Sequence, residues 1–72
     1  MAAPVKVRQD LSSDELRGVA RSSKDAGQVR RLLAMAAILD GSSRSEAARI
    51  AGVTLQIVRD WVLRFNEAGI AG

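Results

Sequence analysis

The chain has no cysteine, no histidine and no tyrosine, and it has one tryptophan and one phenylalanine among its 72 residues. Without cysteine and histidine it can form no disulfide, has no thiolate nucleophile and lacks the usual zinc ligands. Its carboxylates lie mainly in predicted helix caps or beside arginines, so we assign no catalytic acid–base pair. The sequence therefore predicts a protein that is not an enzyme, with no metal, no cofactor and no small-molecule substrate.

Long hydrophobic runs are also missing from the sequence. No run approaches the roughly 20 apolar residues that a membrane-spanning helix needs. Residues 1–11 lack the apolar centre of a secretory signal. Together with the lack of cysteine, these absences predict a soluble, cytoplasmic protein with no membrane partner.

The size and charge of the chain suit a small domain that binds a polyanion. A chain of this length is one domain at most, and such domains bury only roughly 60% of the surface that they expose when unfolded. Because alanine makes up much of the hydrophobic fraction, Trp61, Phe65 and the branched aliphatic residues must supply most of the buried area. The formal charge of +3 and the pI near 10.6 favour an anionic partner.

Hydrophobic periodicity predicts an all-α fold, a small bundle of about four helices. Residues 1–11 carry Pro4 and no helical period, so we interpret them as a flexible arm, and residues 12–72 as the domain. A capping box from Ser12 to Glu15 opens the first helix, and the second extends from near Asp25 to Asp40 and Gly41. The apolar stripe expected in the second helix is Val29, Leu32, Leu33, Ala36 and Leu39.

The last two predicted helices form a helix-turn-helix. A second capping box, from Ser43 to Glu46, begins the first of them. Gly52 supplies the left-handed turn, Val53 fills the corner, and Thr54 caps the final helix, which we expect to end at Gly69 in another left-handed cap. The residues expected to face inward are Ala48, Val58, Trp61, Val62 and Phe65. The alternative interpretation of this pattern is two helices packed together in an ordinary bundle.

In a helix-turn-helix the second helix enters the major groove of DNA. The predicted base-reading residues are Thr54, Leu55, Gln56, Arg59 and Asp60. Glutamine can pair with adenine and arginine with guanine through two hydrogen bonds each. Asp60 either accepts a hydrogen bond from cytosine or, as we favour, forms an ion pair with Arg64 one turn later. Leu55 either touches a thymine methyl group or is an exposed leucine.

Phosphate contacts must come largely from outside the reading helix, since Arg59 and Arg64 are matched there by Asp60 and Glu67. The predicted contacts to the DNA backbone are Arg30, Arg31, Ser43, Arg44, Arg49 and Arg64. Lys6 and Arg8 on the arm could enter a minor groove. A solvated helix face is the alternative interpretation of Arg30 and Arg31. Stacking on single strands is an alternative for Trp61, for which core packing fits the helical spacing better.

Two segments resemble a known family. Residues 44–54 (RSEAARIAGVT) and 61–72 (WVLRFNEAGIAG) are similar to the amino-terminal DNA-binding region of mariner-like bacterial insertion-sequence transposases, and the similarity spans roughly residues 25–72. The resemblance implies recognition of terminal inverted repeats by a domain that precedes an acidic-triad strand-transfer domain. It places Thr54, Gln56 and Arg59 toward the groove. Family members often carry more basic residues along this helix than this chain does.

The sequence thus predicts sequence-specific binding of double-stranded DNA, with a homodimer on DNA as one arrangement, by either a segment of a longer protein or a stand-alone relative. Two alternatives stay open. One is a protein-interaction module that uses Leu55, Leu63 and Ile70 for dimerisation or as an adaptor. The other is a transcriptional repressor unrelated to transposition, which would share the DNA chemistry.

Overall fold

The computed structural model describes residues 7–8 and 10–71. All the regular secondary structure in this part of the chain is helical. The helices are α1 (Ser13–Ser22), α2 (Ala26–Leu39), α3 (Arg44–Ala51) and α4 (Leu55–Ala68), followed by a 3₁₀ turn (Gly69–Ala71). The predicted all-α fold with about four helices is confirmed. None of the helices in the described part has the length and apolar character that crossing a bilayer requires.

Each α-helix begins at a side chain that accepts a hydrogen bond from the first turn. The caps are Ser12, Asp25, Ser43 and Thr54. Ser12 Oγ accepts from the Glu15 N–H at 3.1 Å, and Ser43 Oγ accepts from the Glu46 N–H at 3.0 Å. These bonds satisfy backbone donors that have no partner inside the helix. The predicted helix starts are therefore confirmed.

Two glycines end helices with the same hydrogen-bond pattern. After α2, Gly41 has φ +106° and the Ser42 N–H donates to the Ala37 carbonyl at 3.0 Å. After α3, Gly52 has φ +72° and the Val53 N–H donates to the Ala48 carbonyl, also at 3.0 Å. Both ends are Schellman motifs, in which a left-handed residue turns the chain back onto the last helical turn.

The end of α4 differs from the cap that the sequence predicts. Gly69 has φ +64° but ψ −140°, so it is not in the left-handed helical conformation. Its N–H donates to the Phe65 carbonyl, and the chain continues into the 3₁₀ turn. A glycine is still favoured at this position because the positive φ disfavours any residue with a Cβ atom.

Helix α2 is the scaffold of the bundle, since α1, α3 and α4 all pack against it. The buried residues are Val7, Leu16, Ala20, Leu32, Ala34, Met35, Ala36, Ala47, Ala48, Val58, Val62 and Phe65. Five of these twelve are alanines, so helix axes come close together and little volume separates them. Trp61 is half-buried and packs at the edge of this core.

The predicted apolar stripe of α2 is wrong at one position. Leu33 is 40% exposed, whereas Ala34 and Met35 are buried. The single-stripe pattern assumes one covered face, but α2 is covered by helices on more than one side. Ala34 and Met35, which are outside the predicted stripe, are therefore buried, and Leu33, which is within it, is exposed.

Part of the segment that the sequence assigns to a flexible arm contacts the bundle. Val7 is buried in the core, and the Arg8 N–H donates to Asn66 Oδ1 at 2.8 Å. The Arg8 guanidinium bonds to the Asp10 carboxylate, with Nε and Oδ1 2.7 Å apart. Residues 1–6 and 9, including Lys6, lie outside the described residues. The boundary between arm and domain after residue 11 stays a prediction. Arg8 itself is bonded to Asp10 and to α4.

Asp40 joins the start of α1 to the end of α2. Its Oδ1 accepts from Ser13 Oγ at 2.6 Å, and its Oδ2 accepts from Arg17. The Ser13 hydrogen bond, followed by the bond from Arg17, lowers the pKa of Asp40 below its ordinary value of 3.8. The same contact raises the pKa of Arg17. These groups are exposed, so the cluster fixes geometry more than it adds stability.

We expect Gly52→Ala to destabilise the fold by about 1–2 kcal/mol, because an alanine at a left-handed position brings its Cβ against the backbone. Nothing lies within 4 Å of a Cβ added at Gly52, so strain alone would cause the loss. Gly18→Ala is the matched control, since Gly18 also has free space and is inside α1. We expect it to stabilise by about 0.5–1 kcal/mol. Urea unfolding followed by circular dichroism would measure both, and equal effects would contradict this view of the turn.

We expect the stabilising contribution of Asp40 to disappear in acid. Because its pKa is lowered in the folded state, the contribution is present above the ordinary value of 3.8 and is lost as the pH falls through the folded-state pKa. Asp40→Asn should therefore unfold more easily than the wild type near neutral pH, and the difference should vanish in strong acid. Urea titrations at several pH values would test this. Glu67→Gln, which removes an exposed carboxylate, is the control and should show no such difference.

Candidate nucleic-acid interface

The turn between α3 and α4 sets the direction of α4. The Gly52 N–H donates to the Arg49 carbonyl at 3.2 Å, and the Val53 N–H reaches back to Ala48. Ala48 is buried and Val53 packs against the core, so the corner is filled as the sequence predicts. Thr54 then starts α4, with its Oγ1 accepting from the Ile57 N–H at 3.3 Å. The two helices and this turn form a helix-turn-helix.

Helix α4 has one buried side and one open side. Val58, Val62 and Phe65 are buried, and Trp61 is half-buried. On the other side, Gln56, Arg59 and Asp60 are exposed, and Leu63 is 50% exposed. Positions 56, 59, 60 and 63 share one face because they recur at three- and four-residue steps. The open side of α4 is therefore a continuous surface available to a partner.

The structure places the predicted base-reading residues at the cap and in the first two turns of α4. Thr54 is exposed at the cap of α4, while Leu55 is half-buried and presents only part of its side chain. Gln56, Arg59 and Asp60 lie in the first two turns of the helix. Ile57, which the sequence analysis left unassigned, is 39% exposed in the same turn. The sequence does contain a signal for the exposure of Ile57, because this residue lies outside the inward set Val58, Trp61, Val62 and Phe65.

Asp60 does not form the ion pair that we favoured from the sequence. Gln56 Nε2 donates to Asp60 Oδ1 at 3.3 Å instead. The ion pairs among the described residues are Arg8–Asp10, Arg17–Asp14 and Arg17–Asp40. The side chain of Arg64 lies along the groove between α2 and α4, beside Trp61. Asp60 therefore finds its partner one turn earlier on α4, not one turn later.

The predicted backbone contacts lie on α2, on α3 and its cap, and on α4 itself. Arg31 and Arg64 line the same groove between α2 and α4, so the structure brings these two together. Arg30 is exposed on α2, away from that groove. Ser43 caps α3, and Arg49 is exposed on the same helix, while Arg44 is half-buried there. Cationic side chains thus lie on both α2 and α3, which pack against the nearly neutral α4.

The apolar surface that a protein-interaction module would use is not continuous. Leu63 is half exposed, but Ile70 packs against the core and Leu55 is half-buried. Within the described residues, no group of three or more acidic side chains is placed so as to hold a metal ion. The exposed surface of α4 offers hydrogen-bonding groups together with the exposed side chains of Ile57 and Leu63.

Comparison with protein families shows a match over residues 31–72 to the model described as winged helix-turn helix. The match includes α3, the turn at Gly52, and α4. The chain belongs to the winged helix-turn-helix family. Membership in this family indicates DNA binding, and the open side of α4 is consistent with that activity. Within residues 7–8 and 10–71, the family's helix-turn-helix is formed by α3, the turn at Gly52 and α4, and there is no β-strand.

A similar relative among curated proteins is the uncharacterized protein y4pG/y4sC of Sinorhizobium fredii, which is 61% identical over 72 residues. The match covers 100% of this chain and 38% of the relative. This winged helix-turn-helix chain thus spans well under half of the relative's length. No solved structure matches the chain.

We expect Thr54→Ala to destabilise the domain by about 0.5–2 kcal/mol, because it leaves the Ile57 N–H without its cap. Thr54→Ser keeps the hydroxyl oxygen and is the matched control. Thermal unfolding of both variants, followed by tryptophan fluorescence of Trp61, would measure the effect at the α4 end of the core. A loss of the same size in Thr54→Ser would show that the methyl group, not the cap, is responsible.

Proposed function

We propose that this chain binds double-stranded DNA in a sequence-specific manner, with α4 inserted in the major groove. The observation that carries the proposal is the two-sided character of α4. Val58 and Val62 anchor one side in the core, and Gln56 and Arg59 stand exposed on the other, directly after the turn. A helix presented in this way fits the width of the major groove.

The exposed polar groups can distinguish bases. The Arg59 guanidinium can donate two hydrogen bonds to O6 and N7 of guanine, and the Gln56 amide can pair with adenine through N6 and N7. Thr54, at the N-terminal end of α4, is positioned to contact a phosphate, and the partly exposed Leu55 can touch a thymine methyl group. Asp60 lies on the same face. We propose these residues as the set that determines which sequence is bound.

Affinity would come mainly from residues around α4. The proposed phosphate contacts are Arg30, Arg31, Ser43, Arg44, Arg49 and Arg64. Contacts to phosphates fix the register of a protein on the duplex without carrying sequence information. Since Arg31 and Arg64 line one groove next to the reading side, they can hold the backbone on the flank where α2 meets α4.

We further propose that the sites recognised are terminal inverted repeats of a mobile element. The similarity of residues 44–54 and 61–72 to mariner-like insertion-sequence transposases supports this. In this proposal the chain is a non-catalytic recognition module. A repressor would use the same contacts, so the natural target distinguishes the two functions.

Selection of bound sites from a random duplex library tests the proposal directly. Enrichment of a defined sequence supports it, and a library that stays random after selection contradicts it. A palindromic winner would show that two copies bind as a symmetric dimer, because half-site spacing follows protein symmetry. Enrichment of sequences from the ends of a mobile element in the host genome would support the inverted-repeat assignment.

We expect Arg59→Ala to weaken binding to the selected site by about 1–3 kcal/mol and to relax the preference at one base pair. The reason is the loss of a two-bond contact to guanine. Arg30→Ala is the matched control: loss of a phosphate contact should weaken binding to all sequences similarly and reduce the salt slope by about 1. Fluorescence anisotropy titrations at two salt concentrations would measure both. Equal losses on selected and random duplex for Arg59→Ala would contradict its reading role.

A further inference from the structure

Asp60 is an unexpected residue on a surface that faces DNA. It is exposed on the open side of α4 and forms no ion pair with a cation among the residues that the structure describes. A carboxylate there is repelled by phosphates and lowers the affinity for every duplex. A residue that weakens general binding at this place calls for a second role.

The hydrogen bond between Gln56 and Asp60 supplies that role. The two residues are one helical turn apart, and Gln56 Nε2 lies 3.3 Å from Asp60 Oδ1. An ionised carboxylate only accepts hydrogen bonds, so the amide of Gln56 must present its nitrogen, not its oxygen, to Asp60. The contact therefore removes the ambiguity that a free glutamine has between its two amide orientations.

We propose that Asp60 is a positioning residue that presents the amide of Gln56 to adenine. With one N–H held by Asp60, Gln56 keeps its second N–H and its carbonyl oxygen. These groups match N7, which accepts, and the N6 amino group, which donates, on the major-groove edge of adenine. The inference rests on the proposed function, because it assigns a specificity role on the reading side of α4.

Two effects of Asp60 then act in opposite directions. Its charge weakens binding to any duplex, while its hydrogen bond strengthens discrimination at one base pair. Removing the side chain should raise general affinity and lower specificity together. No purely structural role of an exposed helical residue predicts that combination.

The experiment compares five proteins: the wild type, Asp60→Ala, Asp60→Asn, Gln56→Ala and the double variant Asp60→Ala with Gln56→Ala. Each is titrated against the selected site, against its versions with the other three bases at the position where Gln56→Ala loses preference, and against random duplex. Circular dichroism confirms that all five are equally helical. The measured quantities are the preference for adenine and the affinity for random duplex.

We expect Asp60→Ala to bind random duplex more tightly and to lose about two- to tenfold of the adenine preference, a range set by exposed and charge-assisted hydrogen bonds. Asp60→Asn keeps an oxygen that accepts from Gln56, so it should bind random duplex more tightly yet retain the preference. In the Gln56→Ala background, Asp60→Ala should change the preference no further.

Three results would overturn the inference while the wild type still selects a sequence. One is an unchanged adenine preference in Asp60→Ala. Another is an equal loss in Asp60→Asn, which would assign the effect to charge. The third is loss of a cytosine preference at a neighbouring position, which would make Asp60 a base reader itself. A wild type without sequence preference would overturn the proposed function as well, so the two failures are distinguishable.

Discussion

The left-handed turn at Gly52 is the constraint on which the candidate interface depends. The hydrogen bond from the Val53 N–H to the Ala48 carbonyl closes the end of α3 and fixes where α4 begins. Thr54 follows at once with the cap of α4, so no free loop separates the two helices. Because the turn is short and the N–H groups of Gly52 and Val53 are both bonded to α3, the side of α4 that enters the core is determined within a few residues. The opposite side is thereby left open.

The core explains how so small a chain holds this geometry. Its buried set combines alanines such as Ala34 and Ala47 with a few large residues, of which Leu16 and Met35 are fully enclosed. The alanines allow the helix backbones to approach closely, so fewer large side chains are needed to fill the core. Helix α2 contacts the other three α-helices. Each helix also begins at its own side-chain cap. Burial and local hydrogen bonds therefore act together, as a domain with little apolar area to bury requires.

The features that sequence predicts correctly are those encoded within one helical turn. The N-terminal caps, the glycine turns after α2 and α3, and the inward set of α4 depend on residues within a few positions, so their pattern is visible in the chain. The left-handed cap predicted at Gly69 is an exception, because its ψ of −140° differs. The failures involve distant partners. Asp40 meets Ser13 across 27 positions and Arg8 meets Asn66 across 58, and no local pattern reports such contacts. The exposure of Leu33 depends likewise on where other helices pack. At the site, Asp60 accepts a hydrogen bond from Gln56, four residues earlier, and not from Arg64, four residues later; the two spacings are equal, so the sequence does not distinguish these partners.

In the proposed function, the distribution of charge around α4 separates affinity from discrimination. Arg59 and Arg64 are offset on this helix by Asp60 and Glu67, while Arg31 and Arg49 lie on its neighbours. Cations beside the reading helix attract any duplex equally, since phosphates carry no sequence information. A nearly neutral reading face adds little to that attraction, so the difference between one site and another rests on the directed hydrogen bonds of its side chains. A more basic α4 would bind all duplexes more tightly, and the same base contacts would then form a smaller share of the total binding energy. The acidic residue that weakens general binding is therefore consistent with a helix whose task is to discriminate.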